Sequence, residues 1–107
     1  MVRKEIRGNC EFMFDYQELE NMTDFSACKT NKDVYNILSD CIHDINIAYW
    51  FGYVKPEIIK IGVDDLIELL HRLIGLALND YISTCELQDI CTNRLNEYVR
   101  QKLEANS

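Results

Sequence analysis

Turn-forming residues are scarce in this chain, which has four glycines and one proline among its 107 residues. An all-β fold needs turn residues about every 8–12 positions, so this scarcity argues against one. Hydrophobic residues make up 48% of the sequence, which is ample for the core of one domain at this length. We therefore predict a single compact all-α domain over residues 9–107, preceded by a loose basic arm at residues 1–8.

Apolar residues that recur at spacings of three and four predict three main helices. These helices span about residues 31–51, 63–82 and 84–104. Thr30 and Asp33 form a T-x-x-D start for the first of these helices, and Ser83 and Glu86 form an S-x-x-E capping box for the last. Gly52 is placed to end the first helix, since glycine readily adopts the conformation that follows a helix.

Two further segments have ambiguous patterns. In residues 9–22, Phe12 and Phe14 belong to an alternating strand pattern, whereas Phe12, Tyr16 and Leu19 fit a helical stripe. We predict a helix there, so that one or two further N-terminal helices precede the three main ones. Residues 55–61 form a short apolar connector that is either a helical turn or an extended piece.

The charge balance limits the classes of partner. The net charge is −7 and the pI is near 4.7, which disfavours direct binding to nucleic acid. A basic partner protein is compatible with this charge, and so is the simpler interpretation that the charge only keeps the protein soluble. No apolar run reaches the roughly 18 residues that a membrane-spanning helix needs, so no membrane association is expected.

The cysteines favour a reducing compartment. They are Cys10, Cys28, Cys41, Cys85 and Cys91. Their number is odd, no C-x-x-C pair occurs, and the basic N-terminus is not followed by the unbroken apolar segment of a secretory signal. We expect reduced thiols, mostly buried in the core, in a cytoplasmic protein.

The two histidines each follow a carboxylate at a spacing of three, as Asp40/His43 and Glu68/His71. Helical bundles hold metals with such pairs when they point inward, because residues three apart lie on one helix face. At about 100° per residue, however, these side chains fall at the edge or on the far side of their helices. The periodicity favours a solvated edge and predicts no metal or cofactor. A metal-dependent enzyme that uses these four residues is the alternative, and an ion at a surface or subunit interface stays open.

Cys85 follows the Ser83 cap, in the first turn of the last predicted helix. A helix N-terminus favours the reactive thiolate form, so Cys85 is the candidate for a thiol enzyme. The alternative is a small buried residue, since free cysteine is among the most buried residue types. None of the common nucleotide-binding or hydrolase motifs occurs in the sequence.

Four aromatic residues, Tyr49, Trp50, Phe51 and Tyr53, lie within five positions at the end of the first main helix. On that helix Trp50 points about 180° from the centre of the apolar stripe. An exposed tryptophan with aromatic neighbours is typical of a binding hot spot. The alternative is that the connector at residues 55–61 folds over it.

Leu69, Leu76 and Leu78 widen the apolar face of the second main helix beyond one stripe, so this helix is either central or part of a dimer seam. We predict a small acidic, non-catalytic binding or regulatory protein that acts through protein–protein contacts, as a homodimer or with another protein. Its candidate contacts are Tyr49, Trp50, Phe51, Tyr53, Leu69 and Leu76. A variant is an inhibitor that occupies a basic nucleic-acid-binding groove on its target, since residues 9–28 hold five acidic residues and no lysine or arginine.

Overall fold

The computed structural model describes residues 13–79 and 81–105, and 76% of these residues are helical. The helices are α1 (Tyr16–Met22), α2 (Asn31–Trp50), α3 (Pro56–Ile61), α4 (Val63–Ala77) and α5 (Thr84–Ala105). The described residues contain no strand beyond one isolated bridge, so the all-α prediction is confirmed. None of these helices is long and apolar enough to cross a membrane. The predicted basic arm at residues 1–8 lies outside the described residues.

Both predicted capping boxes are present. At the start of α2, the hydroxyl of Thr30 accepts the amide of Asp33 at 3.1 Å, and Asp33 accepts the amides of Lys29 at 2.9 Å and Thr30 at 3.2 Å. These bonds, that from Lys29 first, lower the pKa of Asp33. At the start of α5, the Ser83 hydroxyl accepts the amide of Glu86, whose carboxylate accepts the amide of Ser83 in return.

The predicted N-terminal helix was only partly right. Phe14 is extended and pairs with the segment after α2: its amide donates to the Tyr53 carbonyl at 2.6 Å, and its carbonyl accepts the Lys55 amide at 2.9 Å. The helix begins only at Tyr16, where the Asp15 side chain accepts the amide of Glu18. Phe14 therefore forms one isolated bridge, whose partner Val54 lies 40 residues further along the chain, and no strand forms. Residues 9–12 lie outside the residues that the structure describes.

The connector at residues 55–61 contains the short helix α3, which begins with Pro56 at its first position. Proline suits that position because its missing amide hydrogen has no partner inside the helix. Gly62, at φ +88°, turns the chain directly from α3 into α4. Tyr98 of α5 fastens this turn, because its hydroxyl donates to the Ile61 carbonyl at 2.5 Å and lies 3.1 Å from that of Gly62.

α4 ends earlier than predicted, at Ala77 instead of near residue 82. The side chain of Asn79 accepts the amide of Tyr81 at 2.8 Å, and the Asn79 carbonyl accepts the amide of Ile82. This local turn competes with continuation of the helix, as asparagine side chains commonly do. Tyr81 therefore lies beyond the end of α4, outside the helix that was predicted to reach residue 82.

α4 runs antiparallel to both α2 and α5, which are parallel to each other, and the three helices surround one core. The start of α2 meets the start of α5, where the Asn31 amide donates to the Ile82 carbonyl and the Thr84 hydroxyl donates to Asn31. The other end of α5 returns to the start of α4, where Lys102 lies 3.1 Å from Asp65. The most buried large side chains are Phe14, Phe25, Leu38, Ile45, Ile58, Ile61, Leu66, Leu70, Leu73 and Leu87. No polar or charged side chain within the described ranges is buried.

Candidate binding surface

The end of α2 carries a group of exposed aromatic rings, here called the aromatic patch (Tyr49, Trp50, Phe51 and Tyr53). The exposed fraction is 83% for Trp50, 68% for Phe51 and 53% for Tyr49, while Tyr53 is half-buried against the core. The rings of Phe51 and Tyr53 stack with their centroids 6.3 Å apart. Trp50 therefore faces solvent, and the connector at residues 55–61 does not cover it.

The backbone under the aromatic patch is fixed by hydrogen bonds on both sides. α2 ends in a Schellman motif, in which the amide of Tyr53 donates to the Ala48 carbonyl at 2.8 Å and that of Gly52 donates to the Tyr49 carbonyl at 3.3 Å. Gly52 has φ +76°, a conformation that glycine adopts without cost. Tyr53 is then tied to Phe14 by the bridge described above. The rings thus lie on or beside a turn that hydrogen bonds constrain.

The leucines of α4 have a different environment from that of the aromatic patch. Leu69 and Leu76 are half-buried and pack against the core. The outward residues of α4 are Asp64, Asp65, Glu68, His71, Arg72 and Gly75, so the solvent face of this helix is polar. Leu69 and Leu76 thus offer less surface to a partner than Trp50, and their role as partner contacts stays a prediction.

A second exposed apolar region lies at the opposite end of α2. Leu78 is 65% exposed and Tyr81 is 97% exposed. An open groove of about 410 Å³ runs beside Leu78 and is lined by Asn31, Lys32, Tyr35, Ala77 and Leu78. Sequence reasoning missed the exposure of Tyr81 because it placed this residue inside a longer helix. The signal that marks the turn is Asn79, a residue type that favours turns over helix interiors.

An acidic groove of about 540 Å³ lies between the α1–α2 segment and α5. Its charged lining residues are Glu20, Asp24 and Asp89, and the other lining residues are Asn21, Thr23, Phe25, Ser26, Gln88, Thr92 and Asn93. No lysine or arginine lines it among the described residues. Hydrogen bonds from Ser26, that of its side chain first, lower the pKa of Asp24. Glu20 and Asp24 belong to the acidic segment of residues 9–28, whereas Asp89 lies on the distant helix α5.

The four residues of the metal alternative are not brought together. The side chain of His43 is 71% exposed, and its Nδ1 lies 3.6 Å from Asp44. Glu68 pairs with Arg72 at 2.8 Å on the outer face of α4. Asp40 and His71 are also exposed. Within residues 13–79 and 81–105, no three histidine, cysteine, aspartate or glutamate side chains form a group that could hold a metal ion.

Cys85 is exposed in the first turn of α5, as the alternative of a reactive thiol requires. The nearby capping groups Ser83 and Glu86 bond to each other. Cys41 and Cys91 are buried and Cys28 is half-buried, whereas the exposure of Cys85 contradicts the interpretation of that residue as a small buried one. Cys10 lies outside the described residues.

Comparisons with protein-family models, with curated proteins and with solved structures found no match to this chain.

Proposed function

We propose that this chain is a non-catalytic binding protein that docks on another protein through the aromatic patch, with Trp50 as the anchor. The observation that carries the proposal is the 83% exposure of Trp50 on a backbone turn that hydrogen bonds hold in place. A tryptophan that is exposed to water at a fixed position lacks the stabilising free energy that burial gives to other large apolar side chains of the domain. Burial in a partner surface would recover it.

The partner that the charges favour is a basic protein surface. A net charge of −7 repels a second copy at long range and attracts a positively charged partner. Self-association through the same patch is the alternative, and sedimentation velocity at micromolar and higher concentration detects it. If the wild-type chain dimerises and the Trp50→Ala variant does not, the patch is a homodimer interface and not the docking site for another protein.

The energetics separate a binding role from a folding role. Truncating a central tryptophan anchor costs about 2 kcal/mol or more of binding free energy, which is roughly a 30-fold loss of affinity. The folding free energy should change little, since surface substitutions stay within about ±0.5 kcal/mol. Trp50→Ala is therefore expected to weaken association and leave stability intact.

The experiment begins with site-specific photo-cross-linking in cells that express the chain. A photoreactive residue replaces Phe51 in one variant and the exposed His43, on the adjoining helix α2, in a control variant. The captured protein is then purified and titrated calorimetrically with wild type, Trp50→Ala and the aromatic control Tyr81→Ala. Equal affinity for wild type and Trp50→Ala would overturn the proposal, as would stronger cross-linking from position 43 than from position 51.

A second candidate function is occupation of a basic nucleic-acid-binding groove on the target, which the acidic groove favours. Glu20, Asp24 and Asp89 line one depression to which no lysine or arginine contributes among the described residues. Replacing all three by the corresponding amides should weaken such a complex, more at low salt than at high salt. If affinity is independent of salt, or if the triple variant binds as wild type does, this second candidate is excluded.

A further inference from the structure

The ring of Trp50 lies at the end of a helix that carries negative charge. Residues 33–54 contain three aspartates and no lysine or arginine, and Lys55 is the first cation beyond the aromatic patch. On this helix Asp40 is exposed, and the side chain of Asp44 is 25% exposed. Together with the net charge of −7, these carboxylates favour the approach of a cation to the patch.

The rings of the aromatic patch differ in how much of their surface a partner can reach. The Phe51 and Tyr53 rings stack on each other at an interplanar angle of 25°, whereas Trp50 is 83% exposed. The face of an indole attracts cations more strongly than the rings of tyrosine or phenylalanine do. Within the described ranges Lys102 lies over the ring of Tyr98 at 5.5 Å, and no lysine or arginine lies over Trp50. Trp50 therefore offers an exposed indole to a cation from outside the chain.

We propose that Trp50 binds an arginine side chain of the partner, with the guanidinium stacked on the face of the indole. This inference rests on the proposed function and names the chemistry of the partner, which is a basic segment with an exposed arginine. Arginine is favoured over lysine because its guanidinium is planar, is more weakly hydrated than an ammonium, and stacks on aromatic faces. The charge of the chain attracts the basic segment, and the indole then holds one of its arginines.

An apolar side chain of the partner is the competing occupant, and the electron density of the indole separates the two. A cation is attracted by the negative face of the ring. Fluorine atoms on the indole withdraw electron density from that face and change the shape of the ring little. Fluorination therefore weakens the binding of a cation, whereas it leaves an apolar contact unchanged or strengthens it.

The experiment uses the fact that Trp50 is the only tryptophan in the chain. Four proteins carry tryptophan, monofluorotryptophan, difluorotryptophan or trifluorotryptophan at this position. Each is titrated with a peptide of seven arginines, and with the matched peptide in which neutral citrulline replaces arginine. The readout is the NMR signal of the indole N–H at residue 50. Because this signal reports on one ring, binding of the peptide at the acidic groove does not contribute to it.

The Kd for the arginine peptide should rise with each added fluorine. Between the tryptophan and the trifluorotryptophan proteins we expect a rise of about 2- to 5-fold, as for a cation–π contact at an exposed site. The citrulline peptide should shift the signal little at the same concentration. Tyr81→Leu removes an exposed ring near the other end of α2 and should leave the Kd unchanged. Equal or tighter binding of the fluorinated proteins would overturn the arginine inference, as would equal shifts with the citrulline peptide.

The partner captured from position 51 separates this inference from the proposed function. Its affinity, measured calorimetrically, should fall by up to roughly 30-fold across the fluorinated series, because a desolvated cation–π contact is stronger than an exposed one. If the partner binds all four proteins equally but loses affinity for Trp50→Ala, docking through Trp50 stands and the arginine is excluded. If the partner binds Trp50→Ala as it binds wild type, the proposed function itself is overturned.

Discussion

The two ends of α2 both adjoin exposed aromatic residues, but for different reasons. At the C-terminal end, Trp50 is the last residue of the helix. Gly52 then closes the helix with a Schellman motif, and the bridge from Phe14 supports this turn. Near the N-terminal end Tyr81 lies just beyond the end of α4, and its amide donates to the side chain of Asn79. The first end is a fixed platform built from contacts distant in sequence, and the second is a local turn. Exposure of an aromatic ring does not by itself identify a binding surface. The two ends differ in whether distant contacts hold the backbone that carries the ring.

The largest expected effect comes from removing the support of the aromatic patch. Phe14 is fully buried, and its backbone carries both hydrogen bonds of the bridge. Phe14→Ala should cost about 3–5 kcal/mol of unfolding free energy, as truncations of buried phenylalanines do. Urea denaturation measures this loss. The control Phe51→Ala, which removes an exposed ring, should stay within about 0.5 kcal/mol, and equal losses for both would contradict the assignment of Phe14 as the support.

Alkaline pH should weaken the core that lies between the two ends. Burial, before the charges of Asp44, Asp40 and Glu18, raises the pKa of Cys41 from 9.0 to about 12. Burial likewise raises the pKa of Cys91 to about 11, and burial with Asp65 raises that of Tyr98 to about 12. Because each folded-state pKa lies above the unfolded value, the stability from the protonated groups is complete below pH 9 and is lost as pH rises through about 11–12.

Melting temperatures measured from pH 7 to pH 11 test this pH dependence. The melting temperature should fall progressively above pH 9, and Cys41→Ala should reduce the slope of that fall relative to its own value at pH 7. A melting temperature that stays level to pH 11, or an unchanged slope in Cys41→Ala, would contradict burial of this thiol in the middle of α2.

A smaller effect distinguishes the glycine that closes α2 from a glycine inside α4. Neither Gly52 nor Gly75 has a neighbour within 4 Å of an added Cβ, but only Gly52 has a positive φ, of +76°. Gly52→Ala should therefore destabilise by about 1–2 kcal/mol, whereas Gly75→Ala should stabilise by about 0.5–1 kcal/mol. Thermal melts of the pair measure both, and two changes of the same sign would be evidence against the Schellman closure.

The smallest effect is expected at the local turn. Asn79→Ala removes the acceptor of the Tyr81 amide and should change stability by about 0.5 kcal/mol or less. The Tyr81 amide should exchange its hydrogen faster, because it loses its hydrogen bond. Slower exchange would mean that α4 lengthens towards Tyr81, and that the side chain of Asn79 alone sets the end of this helix.

Features that depend on local sequence could be predicted. The boxes at Thr30/Asp33 and Ser83/Glu86 are short-range hydrogen-bond patterns, and the apolar stripe of α4 around Leu70 has a helical period. The outward direction of Trp50 followed from the helical periodicity of α2. These predictions succeeded because the interactions that determine them lie within one or two turns of helix.

Features that depend on distant contacts could not be predicted. The strand pairing of Phe14 needs Val54 as its partner, and nothing between them in the sequence marks this pairing. The burial of Leu69 and Leu76 depends on the neighbours that α4 acquires in the fold. The acidic groove likewise needs Asp89 of α5 beside Asp24. Such features emerge from packing between elements, which a pattern along one helix does not contain.

The most direct test of the binding surface is quenching of the fluorescence of Trp50, the only tryptophan in the chain. Iodide quenching is measured on the dilute free chain and again with the purified partner in excess, with Tyr81→Ala as a control that should behave as wild type. The free chain should show strong quenching, typical of a water-exposed indole, and the partner should protect Trp50 from iodide. Equal quenching in the free and bound states would contradict the assignment of Trp50 as the anchor, and so would a ring already protected in the free chain.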